Sequence, residues 1–157
     1  MGPRYQGGSR RVALPQVAAV TVAVGGEGDQ AGFAALLGVL EHLAGVEVWV
    51  GGGWGVDPLA GRVTRAHHDM DLFVPSGMLD EAVRRLGAVG FVVVDNEAPC
   101  RVVLVSTSGG RVDLGGIDYH PDGHGVQADA KGDIEIFSAW GWTEQVVADR
   151  SVSCLSA

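Results

Sequence analysis

The sequence has few cysteines, few cationic side chains and no long apolar run, and each shortage excludes a class of protein. Its two cysteines, Cys100 and Cys154, cannot build a disulfide scaffold and lack zinc-ligand spacing, so we expect reduced thiols and a cytoplasmic location. Only 11 Lys and Arg stand against 19 Asp and Glu, a formal charge of −8 that argues against nucleic acid as a partner. No apolar segment reaches the roughly 20 residues of a membrane-spanning helix, so we expect no membrane partner.

The composition is that of one globular domain. The 157 residues are enough to bury a hydrophobic core. With 46% apolar and 19% charged residues, the chain is neither disordered nor a coiled coil. Its 25 glycines follow no three-residue repeat, which excludes collagen and favours a loop-rich α/β domain.

Residues 1–28 differ in character from the rest, and three interpretations compete for them. The pair Arg10-Arg11 before an apolar stretch resembles a twin-arginine export signal, although Pro15 interrupts that stretch. The segment Gly26-x-Gly28-x-x-Ala31 has the form of a dinucleotide-binding fingerprint. The simplest interpretation is a poorly ordered N-terminal extension. We adopt the last, which places the folded domain at residues 29–157.

Alternating helix and strand signals follow this extension. Apolar residues recur at helical spacing between Asp29, a predicted N-cap, and Gly45, a predicted helix stop. Shorter helices are predicted at 54–59 and 78–86, and strands at 46–50, 69–74, 91–94, 102–105 and 111–114, with weaker strand signals at 134–137 and 152–155. This order predicts an α/β (α+β) fold, in which helices cover one face of a mixed β-sheet.

Three acidic residues on predicted strands form the chemical centre of the sequence. Asp69 and Asp71 project from one strand face, because side chains alternate along a strand. Two such carboxylates repel unless a cation lies between them, and Mg²⁺ prefers hard oxygen ligands of this kind. Asp113, if its strand lies beside theirs, supplies a third oxygen or a base for an attacking hydroxyl.

A glycine run fits the same chemistry. Gly51, Gly52 and Gly53 connect a predicted strand to a predicted helix. Without Cβ atoms the backbone can come close to a polyphosphate, and the N–H groups at the helix start can bind an anion. The sequence therefore predicts a phosphate-binding turn next to a carboxylate site.

The residues that carry these features resemble a known family. The elements Gly52-Gly53-Trp54, Thr64-Arg65-x-His67 and Asp69-x-Asp71 are similar to those of the antibiotic nucleotidyltransferases of the DNA polymerase β superfamily. That group includes the lincosamide nucleotidyltransferases and the aminoglycoside 2''-adenylyltransferases. The order of elements in the lincosamide group continues through Val112-Asp113-Leu114, residues 122–128 and residues 152–156. The resemblance covers the whole chain after the extension.

The resemblance implies a minimal polymerase-β-type nucleotidyltransferase core and a specific reaction. Such enzymes transfer AMP, or another nucleotide, from a Mg²⁺-bound triphosphate such as ATP to a hydroxyl of an antibiotic. The match favours a lincosamide over an aminoglycoside. It implies that Asp69 and Asp71 hold the metal, while Asp113 accepts the hydroxyl proton and also contacts the metal. The physical logic agrees, since this transfer depends on positioning and charge neutralisation.

The resemblance also implies how the nucleotide is held. Gly52 and Gly53 would approach the phosphates of the triphosphate. Arg65 and His67 would neutralise those phosphates or donate hydrogen bonds to them.

The sequence departs from the lincosamide group in two places. Gly115-Gly116 stands where that group has a His-Pro step, and His120-Pro121 lies further along, so Asp118 becomes the third carboxylate under a shifted alignment. We prefer Asp113, because the unshifted match also aligns residues 122–128. The chain also stops at Ala157, short of a helix that the resemblance implies, and one way to compensate is to form a homodimer.

Two alternatives to the enzyme interpretation follow. A shortened chain could be a catalytically impaired nucleotide-binding or regulatory module with the same fold. A dinucleotide-binding oxidoreductase would use the glycines near Gly28 instead, but it leaves Asp69, Asp71 and Asp113 without a role.

Overall fold

The computed structural model describes residues 27–129, 131–138, 141–147 and 150–155. Three α-helices and nine β-strands occupy these residues. The helices are α1 (Glu27–His42), α2 (Gly52–Ala60) and α3 (Leu79–Ala88). The strands are β1 (Trp49–Val50), β2 (Met70–Pro75), β3 (Phe91–Glu97), β4 (Arg101–Ser106), β5 (Arg111–Tyr119), β6 (Gly125–Ala128), β7 (Ile134–Phe137), β8 (Trp142–Val147) and β9 (Arg150–Leu155).

The strands form one mixed sheet, which confirms the predicted fold class. Its order is β3-β4-β5-β2-β1-β9-β8, and the β6–β7 hairpin is attached to the end of β5. The pairs β2–β5 and β1–β9 are parallel, whereas the other pairs are antiparallel. A turn at residues 107–110 joins β4 to β5 as a hairpin.

The two faces of the sheet carry different side chains. One face packs against α1, α2 and α3 in the main core, whose fully buried members include Leu36, Leu72 and Leu114. Because side chains alternate along a strand, the residues between these core positions point to the opposite face. That face carries a smaller aromatic cluster around Trp49 and Trp142, against which Phe73 and Phe137 pack.

Several predicted boundaries are wrong. Asp29 lies inside α1, which already includes Glu27, so it is not an N-cap. Gly28 and Ala31 of the fingerprint also lie within α1, while Gly26 and the rest of the predicted extension fall outside the described residues. No helix among the described residues combines the length and apolarity needed to cross a bilayer.

The strand that carries Asp113 is longer than predicted, because its glycines are packing residues and not a strand end. A Cβ atom on Gly116 would lie 2.4 Å from the Pro99 carbonyl oxygen. A Cβ atom on Gly115 would lie 2.9 Å from the Phe73 ring. β5 therefore continues through both glycines to Tyr119 and pairs with β6, a strand that the sequence analysis did not predict.

We expect Gly55→Ala to destabilise the protein, because α2 packs directly on backbone at this position. An added Cβ would lie 2.5 Å from the Val50 carbonyl oxygen and 3.1 Å from that of Leu155. Overpacking of this kind costs about 1–3 kcal/mol of unfolding free energy, measurable by urea denaturation. The control is Gly38→Ala in α1, where nothing lies within 4 Å of the added Cβ and a gain of about 0.5–1 kcal/mol is expected. Equal stability of Gly55→Ala and wild type would contradict the close packing.

Candidate active site

The start of α2 lies directly against the carboxylate of Asp71. The Gly51 amide donates to the Asp71 carbonyl oxygen at 2.8 Å, and this bond ties the glycine turn to β2. Gly52 has φ +55°, and a Cβ atom there would lie 1.9 Å from Asp71 Oδ2. Only glycine therefore fits at this position, for reasons of both backbone conformation and space.

β2 and β5 place two of the predicted acidic residues side by side. Asp71 and Asp113 are direct partners in the parallel register, on strands about 4.8 Å apart. Burial raises the pKa of Asp71, and the negative charges of Asp69 and Asp113 raise it further. The positive charges of Arg101 and Arg111 act in the opposite direction. The structure thus gathers negative charge where the sequence predicted it.

Two arginines contact Asp113, and the sequence analysis missed both. Arg101 Nη2 lies 2.7 Å from Asp113 Oδ2, and Arg111 Nε lies 3.0 Å from Oδ1. Arg101 also reaches Asp95 on β3 at 3.3 Å. The Arg111 contact lacks hydrogen-bond geometry, so the buried Oδ1 has no hydrogen-bond partner among the described residues. The spacing Arg111-x-Asp113 on one strand was the available signal, because alternate residues share a face.

Asp118, the third carboxylate under the shifted alignment, lies far from Asp71. Asp118 lies opposite Val126 on β6 and accepts a hydrogen bond from the Ser76 hydroxyl. It stands five residues beyond Asp113 on the same strand, a separation of about 16 Å in extended backbone. Asp113, and not Asp118, is the neighbour of Asp71.

A buried network holds the segment that leads into β2. Asp57, on α2, accepts hydrogen bonds at Oδ1 from the Thr64 amide (3.1 Å) and the Thr64 hydroxyl (2.6 Å). Its Oδ2 lies 2.5 Å from His67 Nε2, and both side chains are only 2% exposed. The His67 ring packs on Trp54, with centroids 4.6 Å apart. The sequence analysis gave Asp57 no role, because its partners meet it only in the folded chain.

Hydrogen bonding outweighs burial at Asp57. Burial opposes ionisation of this carboxyl, but the hydrogen bonds from Thr64 and His67 lower its pKa below the ordinary 3.8. Asp57 is therefore ionised at neutral pH, as charge-assisted hydrogen bonds require.

A cavity of about 790 Å³ opens between the start of α2 and the β6–β7 hairpin. Gly52, Gly53, Arg65 and His67, the four predicted phosphate-binding residues, line one side of it. Ile136, Phe137 and Leu155 are on its apolar part. The structure thus brings the predicted phosphate-binding residues together on one cavity.

Arg65 and His67 differ in how they meet this cavity. Arg65 is exposed, donates to the Ala66 carbonyl at 3.2 Å, and has no carboxylate partner among the described residues. His67 is buried, and its ring fills the space where Gly53 would carry a Cβ. The guanidinium of Arg65 is free to meet an anion, whereas one nitrogen of His67 is already engaged with Asp57.

The acidic residues fit a divalent cation in part. The described residues contain no group of three or more His, Cys, Asp or Glu arranged to hold a metal ion. Asp113 Oδ2 forms an ion pair with Arg101. Of the three predicted metal ligands, only Asp69 and Asp71 have no ion pair among the described residues. In favour of a cation, burial raises the pKa of Asp71 and the charges of Asp69 and Asp113 raise it further, so a positive ion here would stabilise the ionised carboxylate.

We expect Asp57→Asn to lose stability in a pH-dependent way. The pKa of Asp57 is lower in the folded protein than its ordinary 3.8. The stabilisation that the ionised carboxylate gives the folded state is therefore complete above pH 3.8 and is lost as the pH falls through the folded-state pKa. At neutral pH the variant should be about 1–3 kcal/mol less stable than wild type, because buried donors lose their anionic partner. Thermal unfolding across pH should show this difference shrinking below pH 3.8. A difference that grows towards acid would contradict the assignment.

Comparison with known proteins places these features in a family. A family model described as aminoglycoside-2''-adenylyltransferase matches residues 34–157. A lincosamide resistance protein from Staphylococcus haemolyticus is 30% identical over 121 residues, which cover 77% of this chain and 74% of that protein. A 2''-aminoglycoside nucleotidyltransferase from Escherichia coli is 49% identical over 43 residues, covering 26% of this chain and 24% of that protein.

Solved structures agree with the sequence comparisons. The lincomycin-bound lincosamide antibiotic adenylyltransferase LnuA superposes with a TM-score of 0.68 at 28% identity, covering 81% of this chain and 80% of that one. The enzyme ANT(2'')-Ia in complex with adenylyl-2''-tobramycin shares the fold, with a TM-score of 0.61 at 24% identity over 78% of this chain and 68% of that one. The resemblance predicted from the sequence is confirmed: this chain is a nucleotidyltransferase that belongs to the aminoglycoside-2''-adenylyltransferase family.

Proposed function

We propose that this protein transfers AMP from Mg²⁺-bound ATP to a hydroxyl of a lincosamide antibiotic. The observation that carries the proposal is the in-register pair Asp71–Asp113, which lies beside the start of α2. A nucleotide whose phosphates contact the helix start would have its α-phosphate close to both carboxylates. The oxidoreductase alternative has no support, because the family and the fold are those of nucleotidyltransferases.

Asp69 and Asp71 are the residues that would hold Mg²⁺. When bound, the metal supplies charge neutralisation to the triphosphate and polarises its oxygens. The excess negative charge around Asp71 supports this role. Arg101 and Arg111 balance part of that charge at Asp113. We therefore assign Asp113 to proton transfer rather than to metal binding.

Asp113 would accept the proton of the attacking hydroxyl. Its Oδ1 lies 3.0 Å from Arg111 Nε without accepting a hydrogen bond, so this oxygen keeps the capacity to accept a proton. In the proposed step the acceptor oxygen forms a bond to the α-phosphorus, the bond to the bridging oxygen breaks, and pyrophosphate leaves. The hydroxyl proton passes to Asp113, and Arg101 keeps this carboxylate oriented through Oδ2.

Gly52, Gly53 and Arg65 would bind the triphosphate. The two glycines start α2, so their amides and the helix dipole face an anion there. Arg65 brings a positive charge that no described carboxylate neutralises. His67 borders the same cavity, and it would donate through the nitrogen that Asp57 does not engage.

The chemistry of the cavity wall favours a lincosamide over an aminoglycoside. Its apolar side chains are Val56, Phe73, Ile136, Phe137 and Leu155. Its described acidic residues are Asp57, which is engaged internally, and Glu135. A polycationic aminoglycoside needs several carboxylates, whereas lincomycin, with apolar groups and one amine, suits this wall.

The cellular setting is also part of the proposal. ATP and a reduced thiol environment indicate the cytoplasm, and Cys100 and Cys154 are both free thiols. A homodimer stays a prediction, which light scattering on the purified protein would check.

We expect Asp71→Asn and Asp113→Asn to abolish most of the AMP transfer. Loss of a positioned base typically costs about 10²–10⁴ in rate, so kcat of Asp113→Asn should fall within that range. Asp71→Asn should also weaken the dependence on Mg²⁺. Pyrophosphate release with lincomycin and ATP is the measurement. Asp80→Asn, an exposed acid on α3, is the matched control and should retain wild-type rates.

The same assay separates the proposal from the regulatory alternative. Wild-type protein that binds ATP but releases no pyrophosphate with any antibiotic tested would indicate the catalytically impaired module. Wild-type activity in Asp113→Asn would remove Asp113 from the mechanism and leave the family assignment unaffected.

We expect lincomycin to be a better acceptor than tobramycin. The ratio kcat/KM for lincomycin should exceed that for tobramycin by at least about tenfold, corresponding to roughly 1.4 kcal/mol of transition-state binding. Ile136→Glu adds a carboxylate to the cavity wall and should lower the preference for lincomycin over tobramycin. A wild-type preference for tobramycin would show that residues outside the described wall select the acceptor.

A further inference from the structure

We propose that Asp57 is a positioning residue that fixes the Thr64–His67 loop, residues 64–67, so that Arg65 meets the phosphates of the nucleotide. The inference rests on the proposed function, because it concerns the same nucleotide site. Asp57 does not need to touch the nucleotide. It acts through the loop, which connects α2 to the strand that carries Asp71.

Both oxygens of Asp57 are fully used by this loop. Oδ1 accepts two hydrogen bonds from Thr64, one from the backbone amide and one from the hydroxyl. Oδ2 takes His67 Nε2 at 2.5 Å. Asp57 is 1% exposed and sits inside a helix, so the anchor is rigid and desolvated. Hydrogen bonds to an ion in such surroundings are stronger than those between neutral groups.

The second end of the loop is clamped by packing as well as by Asp57. The His67 ring lies against Trp54 at 4.6 Å between centroids. It also occupies the space beside Gly53, where a Cβ atom would lie 2.1 Å from ring atoms Nδ1 and Cε1. Trp54, Gly53 and Asp57 all belong to α2. The helix whose start faces the phosphates therefore also holds the loop.

Arg65 lies between the two anchored residues. Thr64 precedes it and Ala66 separates it from His67, so Arg65 has little freedom to leave the cavity edge. Its side chain is exposed and has no carboxylate partner among the described residues. A cation whose flanking residues are already fixed at a phosphate site gives affinity because part of its ordering cost is already met. This positioning role explains why α2, which is otherwise apolar, carries the buried ionised carboxylate of Asp57.

The test compares ATP binding and turnover in Asp57→Asn and Thr64→Val. Asn keeps an acceptor for Thr64 but presents an amide to His67, and Val removes only the hydroxyl bond. Calorimetry should show the Kd for ATP raised by about tenfold in Asp57→Asn and by less in Thr64→Val, the scale expected for a displaced ligand contact. The KM for lincomycin should change by less than about twofold, because Ile136 and Phe137 of the cavity wall lie on the β6–β7 hairpin and not on the loop.

A double-mutant cycle with Arg65 distinguishes positioning from a general loss of stability. Arg65→Ala should weaken ATP binding in the wild-type background and add little in the Asp57→Asn background, because the guanidinium is already misplaced. Val39→Ala, a truncation in the main core on α1, is the stability-matched control. It should lower the melting temperature without changing the Kd for ATP.

The possible results distinguish a failure of the positioning role of Asp57 from a failure of the proposed reaction. Additive effects of the two substitutions, or an unchanged Kd in Asp57→Asn, would overturn the positioning role. Should Asp57→Asn fail to fold, Thr64→Val and its cycle with Arg65→Ala carry the test alone. Wild-type protein that binds ATP without transferring AMP would contradict the proposed reaction, while the Kd values would still decide the role of Asp57.

Discussion

The parallel pairing of β2 with β5 is the constraint on which the site depends. It sets Asp71 directly beside Asp113, and two carboxylates on neighbouring strands repel in a partly buried place. Arg101 and Arg111, on the same face of the sheet, offset that repulsion and let the pair persist in the folded protein. The pKa of Asp71 nevertheless stays raised, first by burial and then by the charges of Asp69 and Asp113. A cation bound beside Asp71 would favour its ionised form.

The glycine turn follows from the same placement. The Gly51 amide bonds to the backbone of Asp71, so α2 must start within contact distance of that carboxylate. No side chain fits at Gly52 for this reason, and none fits at Gly55, where the helix meets the carbonyls of β1 and β9. The glycines therefore serve two purposes at once. They let the helix start lie next to the acid pair, and they place Gly52 and Gly53 on the wall of the cavity.

Those parts of the site that depend on local pattern were predictable from the sequence. The Asp69-x-Asp71 alternation and the glycine turn after β1 follow from spacing along the chain, whereas the choice of Asp113 over Asp118 came from the family resemblance. Arg101 and Asp57 were not predictable in this way, because each acts on a partner that folding alone brings near. The end of β5 was misjudged for a related reason. Gly115 and Gly116 resemble a strand end in sequence, yet tight contacts with Phe73 and Pro99 require glycine inside the strand.

The β6–β7 hairpin, which carries Ile136 and Phe137 of the cavity wall, is attached to β5, the strand that carries Asp113. Gln127 donates from Nε2 to the carbonyl oxygens of Cys100 (2.8 Å) and Gly116 (3.1 Å), which ties β6 to β5 and to the residue that precedes β4. Phe137 then packs on Phe73 of β2, with ring centroids 5.6 Å apart. The hairpin is thus held by Gln127 and by the aromatic contacts of Phe137 with Phe73 and Trp142, while Glu135 and Ile136, which line the cavity, are exposed. Under the proposed function, substitutions at these exposed positions would change which acceptor fits while Asp71 and Asp113 stay paired on the sheet.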